Sequence, residues 1–421
     1  MSEPVAPGVD GERLRRRLAE LVRIPSQTGT EGAAIDCVTA WLLPFCDEVD
    51  RWTASMRELE GDPEYPGREV ERAEVPVVAA RVRGRRPGPV LMLTGHVDVV
   101  PTGDRRQWRV DPFAAEVQGD RLYGRGACDM KSGVVAALEA LEVMGRGQRD
   151  FSGELTFVAV PGEEDGGTGT LAAIRRGWRA DLAIITEPTS AEGGQPGIIV
   201  AHAGALTLTV QVEGRSAHAS KRLQGESALA HYFAVHRALC EEERRLNEAE
   251  THPLMRALGL PYATSVGRVT GGEWAASVMD ALEAEVRVGV ALGESVQAAE
   301  ERVRRAVLEG CRQDEWLARH PPRVERSGAA YGSGQTAPDH PLVETLGEAA
   351  RTVFGRVPER AGAPYGCDMA AWIRIAGTPT VVYGPGDVRV AHAPNEWVSL
   401  AETEGVARVL VRAAMGVLGG S

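Results

Sequence analysis

His96 and Asp98 stand at the end of the apolar run PVLMLTG, and Asp129 follows in the glycine-bearing stretch GRGACDMKSG. At a strand end alternate side chains point to the same side, so His96 and Asp98 can share one site. The run before them reads as a strand buried on both faces. Histidine and carboxylates converging beyond the C-terminal end of such a strand suggest a metal site. Two later apolar runs also end in acidic sequence, PGEED with Glu163 and Glu164, and TEPT with Glu187, and His392 lies in AHAPNE. The candidate ligands are therefore His96, Asp129, Glu163 or Glu164, Glu187 and His392. Nitrogen and oxygen donors without cysteine suit zinc, and also cobalt or manganese. This set exceeds the needs of one tetrahedral zinc. A carboxylate bridging two ions roughly 3.5–4 Å apart accounts for the surplus.

The elements that must position these residues alternate between strand and helix up to Glu187, the pattern of an α/β sheet with a site along one edge. Asp10 is placed to cap a helix over 11–23 whose arginines form a solvated face, and a second helix covers 30–43. Strands at 75–82 and 89–94 read as neighbours joined by a turn. Helical spacing begins at Met130, a strand spans 153–160, a short helix 171–177, and a strand 181–185. The pattern then changes. A half-buried strand over 202–213, a helix over 223–246, strands at 266–269 and 281–290, and a helix over 295–318 suggest an α+β module inserted over residues 204–328. The first domain, residues 1–203, resumes at 329–421 with helices at 341–354 and 400–418 and a strand at 379–383.

Length and composition fit this division. A chain of 421 residues exceeds what one core usually carries. A net charge of −12 argues against a nucleic-acid binder, because the arginines are scattered rather than gathered in a stripe. The six cysteines form no CxxC pair, which fits free thiols in a reducing compartment. The stretch MSEPVAPGVDGERLRRR lacks the apolar core of a signal peptide, and no apolar run is long enough to span a bilayer. The expectation is a cytoplasmic protein without membrane or nucleic-acid partners.

GHVDVVPTGD, GRGACDMKSG, PGEED, TEPT and AHAPNE, in this order, resemble the dinuclear-zinc amidohydrolases and metallopeptidases that include acetylornithine deacetylase, succinyl-diaminopimelate desuccinylase and glutamate carboxypeptidase. GGEWAAS and YGPGDVRVAHAPNE are most similar to the acetylornithine-deacetylase-like branch. The resemblance covers nearly the whole chain. It implies a zinc-peptidase-like catalytic domain, with a mostly parallel mixed sheet flanked by helices. It also implies a ferredoxin-like inserted module that dimerises and acts as a lid. Two Zn2+ per subunit are implied, with Co2+ or Mn2+ as substitutes. Asp129 would bridge the ions, His96 and Glu187 would hold one, and Glu164 and His392 the other. Glu163 would be the general base, and Asp98 would steady the His96 ring. A cis peptide is implied at Asp129–Met130. His218 would reach the partner subunit's site and meet the substrate carbonyl, and Arg287 would clamp a substrate carboxylate. Prolines common in the family are replaced by Met279 and Leu292 in this chain, which bears on the loop around Arg287.

The implied reaction is hydrolysis of an N-acyl amino acid or related amine by a metal-bound hydroxide. A dipeptidase or carboxypeptidase with the same machinery is the enzymatic alternative, and an inactive binding relative a further one. Outside the motifs, His202, His231, His236, His252, His320 and His340 read as surface or hydrogen-bonded residues. Cys128 and Cys367 read as packing and Asp165 as loop solvation or capping rather than a further ligand. Asp368 reads either as an orienter of backbone near His392 or as a turn or cap residue. Gly384 and Gly386 serve either a close backbone approach to substrate or a tight turn.

Overall fold

In the computed structural model, which describes residues 8–190 and 195–419, the Asp10 side chain accepts the N–H groups of Glu12 and Arg13 and starts the helix Gly11–Arg23. Leu14, Leu18, Leu21 and Val22 bury one face of this helix. Its arginines do not all face solvent, contrary to the sequence expectation. Arg13 Nε donates to Glu139 at 2.9 Å and Arg17 Nη1 to Glu142 at 2.6 Å, both acceptors lying on the buried helix Ser132–Arg146. Long arginine stems lie along apolar surface and carry the charge to a partner that periodicity alone does not reveal.

Among the described residues nine strands form the main sheet. Ser152–Val160, Arg86–His96, Leu182–Ile185 and Thr380–Val382 make its centre and pair in parallel in that order. Toward the site end these strands are continuously buried, as strands of a parallel sheet packed by helices are. Glu48–Ser55 and Glu74–Arg83 add antiparallel strands at one edge, and Ile198–His202 with Gly334–Gln335 and Arg360–Ala363 completes the other. Glu74–Arg83 and Arg86–His96 are not neighbours, as the short turn between them suggested. Ser152–Val160 slots between the two, and the Gly84 N–H donates to the Gly153 carbonyl where the connection crosses it. The helices Leu400–Leu418 and Pro341–Phe354 pack against each other, as does Leu400–Leu418 against Ser132–Arg146. Each Leu, Val or Phe taken fully into this core contributes about 1.5–3 kcal/mol.

The expected strand over 202–213 is two strands in two sheets. Ile198–His202 belongs to the main sheet, and Gly204–Glu213 starts a four-stranded antiparallel sheet. Its order is Thr264–Gly271, Ala281–Val290, Gly204–Glu213, Arg323–Tyr331, and the chain order is βαββαβ, the ferredoxin-like arrangement. The helices Ala228–Glu248 and Val296–Gly310 cover one face, where Leu206, Leu208, Val286, Val288, Val235 and Val303 make a second core. The second helix stops at Gly310, short of the expected 318, and its chain turns back through a Cys311–Asp314 backbone bond. All six cysteines are free. Among the described residues no helix is long and apolar enough to cross a membrane; residues 1–7, part of the stretch read for a signal peptide, lie outside them.

Candidate metal centre

Register brings the acidic loops together. His96 is level with Val160, and Thr94 with Ile185, so PGEED and TEPT leave the sheet beside the end of the His96 strand. Gly133 and Gly384 press against the Thr186 carbonyl next to Glu187, where an added Cβ would come within 1.8 and 2.1 Å. Gly384 thus closes the packing behind Glu187, which accounts for it without substrate.

The ligand candidates converge on two faces of Asp129. His96 Nε2 lies 3.2 Å from Asp129 Oδ1 and 3.2 Å from Glu187 Oε1. His392 Nε2 lies 3.4 Å from Asp129 Oδ2 and 2.9 Å from Glu164 Oε1. Each oxygen of Asp129 therefore faces a different imidazole, and each imidazole meets a different glutamate. His96, Glu163 and Glu187 also offer ligand atoms within 4.8 Å of one another, as do His96, Asp129 and Glu164. Glu163 stands on the His96–Glu187 side. The Asp129–Met130 peptide is cis.

The charges fit a divalent cation. Burial and the neighbouring Asp129 charge push Glu187 up to about 8. Burial likewise raises Glu163, with Asp368, Glu187 and Glu164 adding repulsion. Bonds to Asp129 and Glu164 push His392 up to about 10. Burial alone would lower His96, yet Glu187, Asp129 and Asp98 hold it well above its ordinary value. The buried carboxylates outnumber the imidazoles, so the cluster demands protons or cations to offset them. Burial raises the Cys128 and Cys367 thiols, which remain neutral beside it.

Asp98 sits beneath the cluster. Its carbonyl oxygen is 2.9 Å from His96 Nδ1, which leaves Nε2 facing Asp129. Its carboxylate accepts the N–H groups of Glu163 and Glu164. Asp165 accepts the Val70 N–H at 3.0 Å and pairs with the buried Arg72 at 3.3 Å, so it braces the loop rather than solvating it. Asp368 accepts the Thr170 hydroxyl at 2.5 Å, and burial pushes it up to about 6.

His218 and Arg287 lie outside the cluster within one chain. His218 is exposed and its Nδ1 meets the Ser220 hydroxyl at 2.9 Å. Arg287 donates to the Thr207 hydroxyl at 3.1 Å and lies 5.4 Å from the centroid of the Tyr331 ring. Tyr331 in turn donates to the Glu163 carbonyl at 2.5 Å. Of the remaining histidines, His231 pairs with Asp314, His320 stacks on Trp316 and His340 caps a helix.

Sequence reasoning passed over Lys131, Arg125, Glu396 and Tyr331. Lys131 is fully buried and donates to the Leu21 and Ile24 carbonyls at 3.0 and 2.8 Å, tying the first helix to the Asp129 loop. Burial pushes it down to about 7. Arg125 pairs with Glu396 at 2.7 Å. Charged residues within four positions of a candidate ligand were the available signal for Lys131, Arg125 and Glu396. Tyr331 had none.

A parallel-centred sheet that gathers imidazoles and carboxylates beyond its strand ends, with a βαββαβ module attached, defines a class of metal-dependent hydrolases. The chain belongs to Peptidase family M20/M25/M40, which matches residues 92–416, and it is a hydrolase of amide bonds. It is 26% identical over 398 residues to an N-formyl-4-amino-5-aminomethyl-2-methylpyrimidine deformylase of Bacillus subtilis, covering 90% of this chain and 87% of the relative. It is 36% identical over 234 residues to a succinyl-diaminopimelate desuccinylase of Methylobacterium radiotolerans, covering 54% and 55%. The fold matches an M20 family metallo-carboxypeptidase of Sulfolobus solfataricus with a TM-score of 0.74 at 17% identity, over 95% of this chain and 98% of that one.

Proposed function

We propose that this protein removes an acyl group from an N-acyl amino acid or related amine at a site for two divalent ions. The observation that carries this reading is Asp129, whose two oxygens face two separate imidazoles, each of which meets its own glutamate. His96 and Glu187 would hold one ion, Glu164 and His392 the other, and Asp129 both. Zn2+ suits these donors, with Co2+ or Mn2+ as substitutes. Such ions, when bound, polarise an amide carbonyl and lower the pKa of water.

The chain's residues supply the proton path. Glu163 takes a proton from water at one of its carboxylate oxygens. The water oxygen bonds to the amide carbon, the C–N bond breaks, and Glu163 returns the proton to the departing amine nitrogen. A buried carboxylate beside the ion site can both accept and donate this proton. Asp98 holds the Glu163 main chain and the His96 ring for this. Relatives named for removing formyl and succinyl groups support acyl removal over peptide cleavage.

His218 and the inserted module extend the reading to a homodimer. The exposed ring would act in the partner's site, and Leu223, Phe233 and Trp274, all exposed on this module, are apolar side chains that a dimer would cover. Arg287 would meet a substrate carboxylate beside the Tyr331 ring.

The test combines a variant with a substrate panel. Glu163→Gln should keep its bound ions while hydrolysis falls roughly 10²–10⁴-fold. N-acyl amino acids, N-formyl and N-succinyl amines should be cleaved beside uncleaved dipeptides, with activity lost to chelator and restored by zinc or cobalt. Full activity in Glu163→Gln overturns the role of Glu163, and cleavage of dipeptides alone overturns acyl removal.

A further inference from the structure

Glu396 ends the AHAPNE motif and is 1% exposed, and its carboxylate accepts from backbone N–H groups and from Arg125. Its Oε1 accepts the N–H groups of Cys128 at 2.9 Å and Asp129 at 3.0 Å. Its Oε2 accepts the Gly126 N–H at 3.1 Å and Arg125 Nη1 at 2.7 Å. Arg125 Nη2 also donates to the His392 carbonyl at 3.2 Å, and Nη1 to the Ala393 carbonyl at 3.4 Å. One buried ion pair thus grips the backbone of Asp129 with one member and that of His392 with the other.

The two halves of the cluster differ in what else supports them. His96 ends a strand paired on both sides, and Glu187 lies two residues beyond Ile185, the end of the next strand. Strand ladders hold His96 and Glu187 whatever happens at Glu396, so that half depends on the pair through Asp129 alone, whereas the other half depends on it through both Asp129 and His392. His392 stands in a loop, with its φ in the left-handed region at 58°. A β-carbon residue held there needs external support. The Trp397–Ser399 strand pairs with Arg121–Tyr123 and brings the two loops side by side. That pairing sets their approach, but the atoms next to the ligands are fixed by Arg125 and Glu396.

We propose that Glu396, acting with Arg125, is a positioning residue that sets the separation of Asp129 from His392 and so holds the ion position formed with Glu164. This rests on the dinuclear reading above. If the pair only stabilised the fold, its loss would affect both positions alike. Acting as argued, its loss is selective. Glu396→Gln keeps the size of the side chain but replaces one acceptor oxygen by a donor, which cannot serve two N–H groups.

The test titrates metal-free wild type, Glu396→Gln and Arg125→Lys with Co2+, followed by calorimetry and visible absorption. His392→Gln serves as the spectral reference for the His96–Glu187 position alone. Wild type should take up two ions. In Glu396→Gln the first ion should bind within about threefold of wild type, with the spectrum of the reference, and the second roughly 10–100-fold more weakly. Arg125→Lys should weaken the same step by a smaller factor. Two wild-type affinities in folded Glu396→Gln, or equal weakening of both, overturn the proposal. Should Glu396→Gln fail to fold, Arg125→Lys decides by the same criterion. Wild type that binds fewer than two ions overturns the dinuclear reading itself, and the proposal with it.

Discussion

Asp98 holds Glu163 by its main chain, with Oδ1 accepting the Glu163 N–H at 3.2 Å while Oδ2 accepts that of Glu164 at 3.1 Å. The same residue presents its carbonyl to His96 Nδ1 at 2.9 Å. One aspartate therefore couples the strand that carries the first imidazole to the loop that carries the acidic pair. It does so from full burial, where a lost acceptor is not replaced by water.

Asp98→Asn leaves one acceptor for two N–H donors and sets an amide donor against the other. Metal affinity should fall roughly 10–100-fold, and kcat/KM with it. A cobalt titration of the metal-free variant measures the first and steady-state kinetics the second. Wild-type affinity in the variant would remove Asp98 from the account.

Arg17, which the amphipathic reading of the first helix assigned to solvent, forms a buried pair with Glu142, with side chains 10% and 2% exposed. Arg17→Met should destabilise the fold by about 3 kcal/mol, the low end for breaking a buried pair. Glu142 retains Arg146 at 2.6 Å, which moderates the loss. Adding Glu142→Leu should recover part of it, because no uncompensated charge then remains inside. Denaturant unfolding of the single and double variants measures this, and a double variant weaker than the single would contradict it.

Arg17 also marks where sequence stops being informative. Apolar periodicity located the helices Pro341–Phe354 and Leu400–Leu418 and the strand that ends at His96, because burial on one face or two leaves a repeating trace. Strand order leaves none: nothing in residues 75–94 tells that Ser152–Val160 will part them. The ligand candidates were legible as chemistry at strand ends, and the family resemblance implied a side of Asp129 for each, but residue types and spacing alone did not, because the sides depend on the register of three strands. Glu396 and Lys131 were hidden for a different reason. Each acts by hydrogen bonds with distant or main-chain groups, and a charged residue in a loop reads as solvated until its partners are seen.

His202 should make the protein acid-sensitive. Burial holds its imidazole down at about 4, from an ordinary 6.5, while Nδ1 meets the Ala203 and Tyr365 carbonyls at 2.8 and 3.2 Å. Between those values the unfolded chain binds a proton that the folded chain refuses. Stability from this group is thus intact above pH 6.5 and is lost as pH falls toward 4, by roughly 3 kcal/mol in all. His202→Asn can still donate to a carbonyl but does not titrate. Its stability should fall less steeply than that of wild type over this window, by up to one proton in the slope. Urea unfolding of metal-free protein across pH 4–7 gives both slopes, and identical slopes would sink the assignment.

His218 offers a test of the dimer that needs no structure. The ring is exposed, its Nδ1 is engaged by Ser220, and among the described residues no hydrogen bond or ion pair joins it to the cluster. If it serves the partner's site, His218→Ala and Glu163→Gln damage different subunits of each active site. Each variant alone should be nearly inactive. Mixed under conditions that exchange subunits, half the dimers become heterodimers, and each heterodimer contains one site with both residues intact. Activity should then rise to about a quarter of the wild-type value for a two-fold dimer with independent sites. A histidine acting within its own chain predicts no such recovery, because every site would lack one residue or the other. A monomer makes the same prediction, and size-exclusion chromatography of the mixture separates the two. Recovery is specific to a residue that crosses the interface.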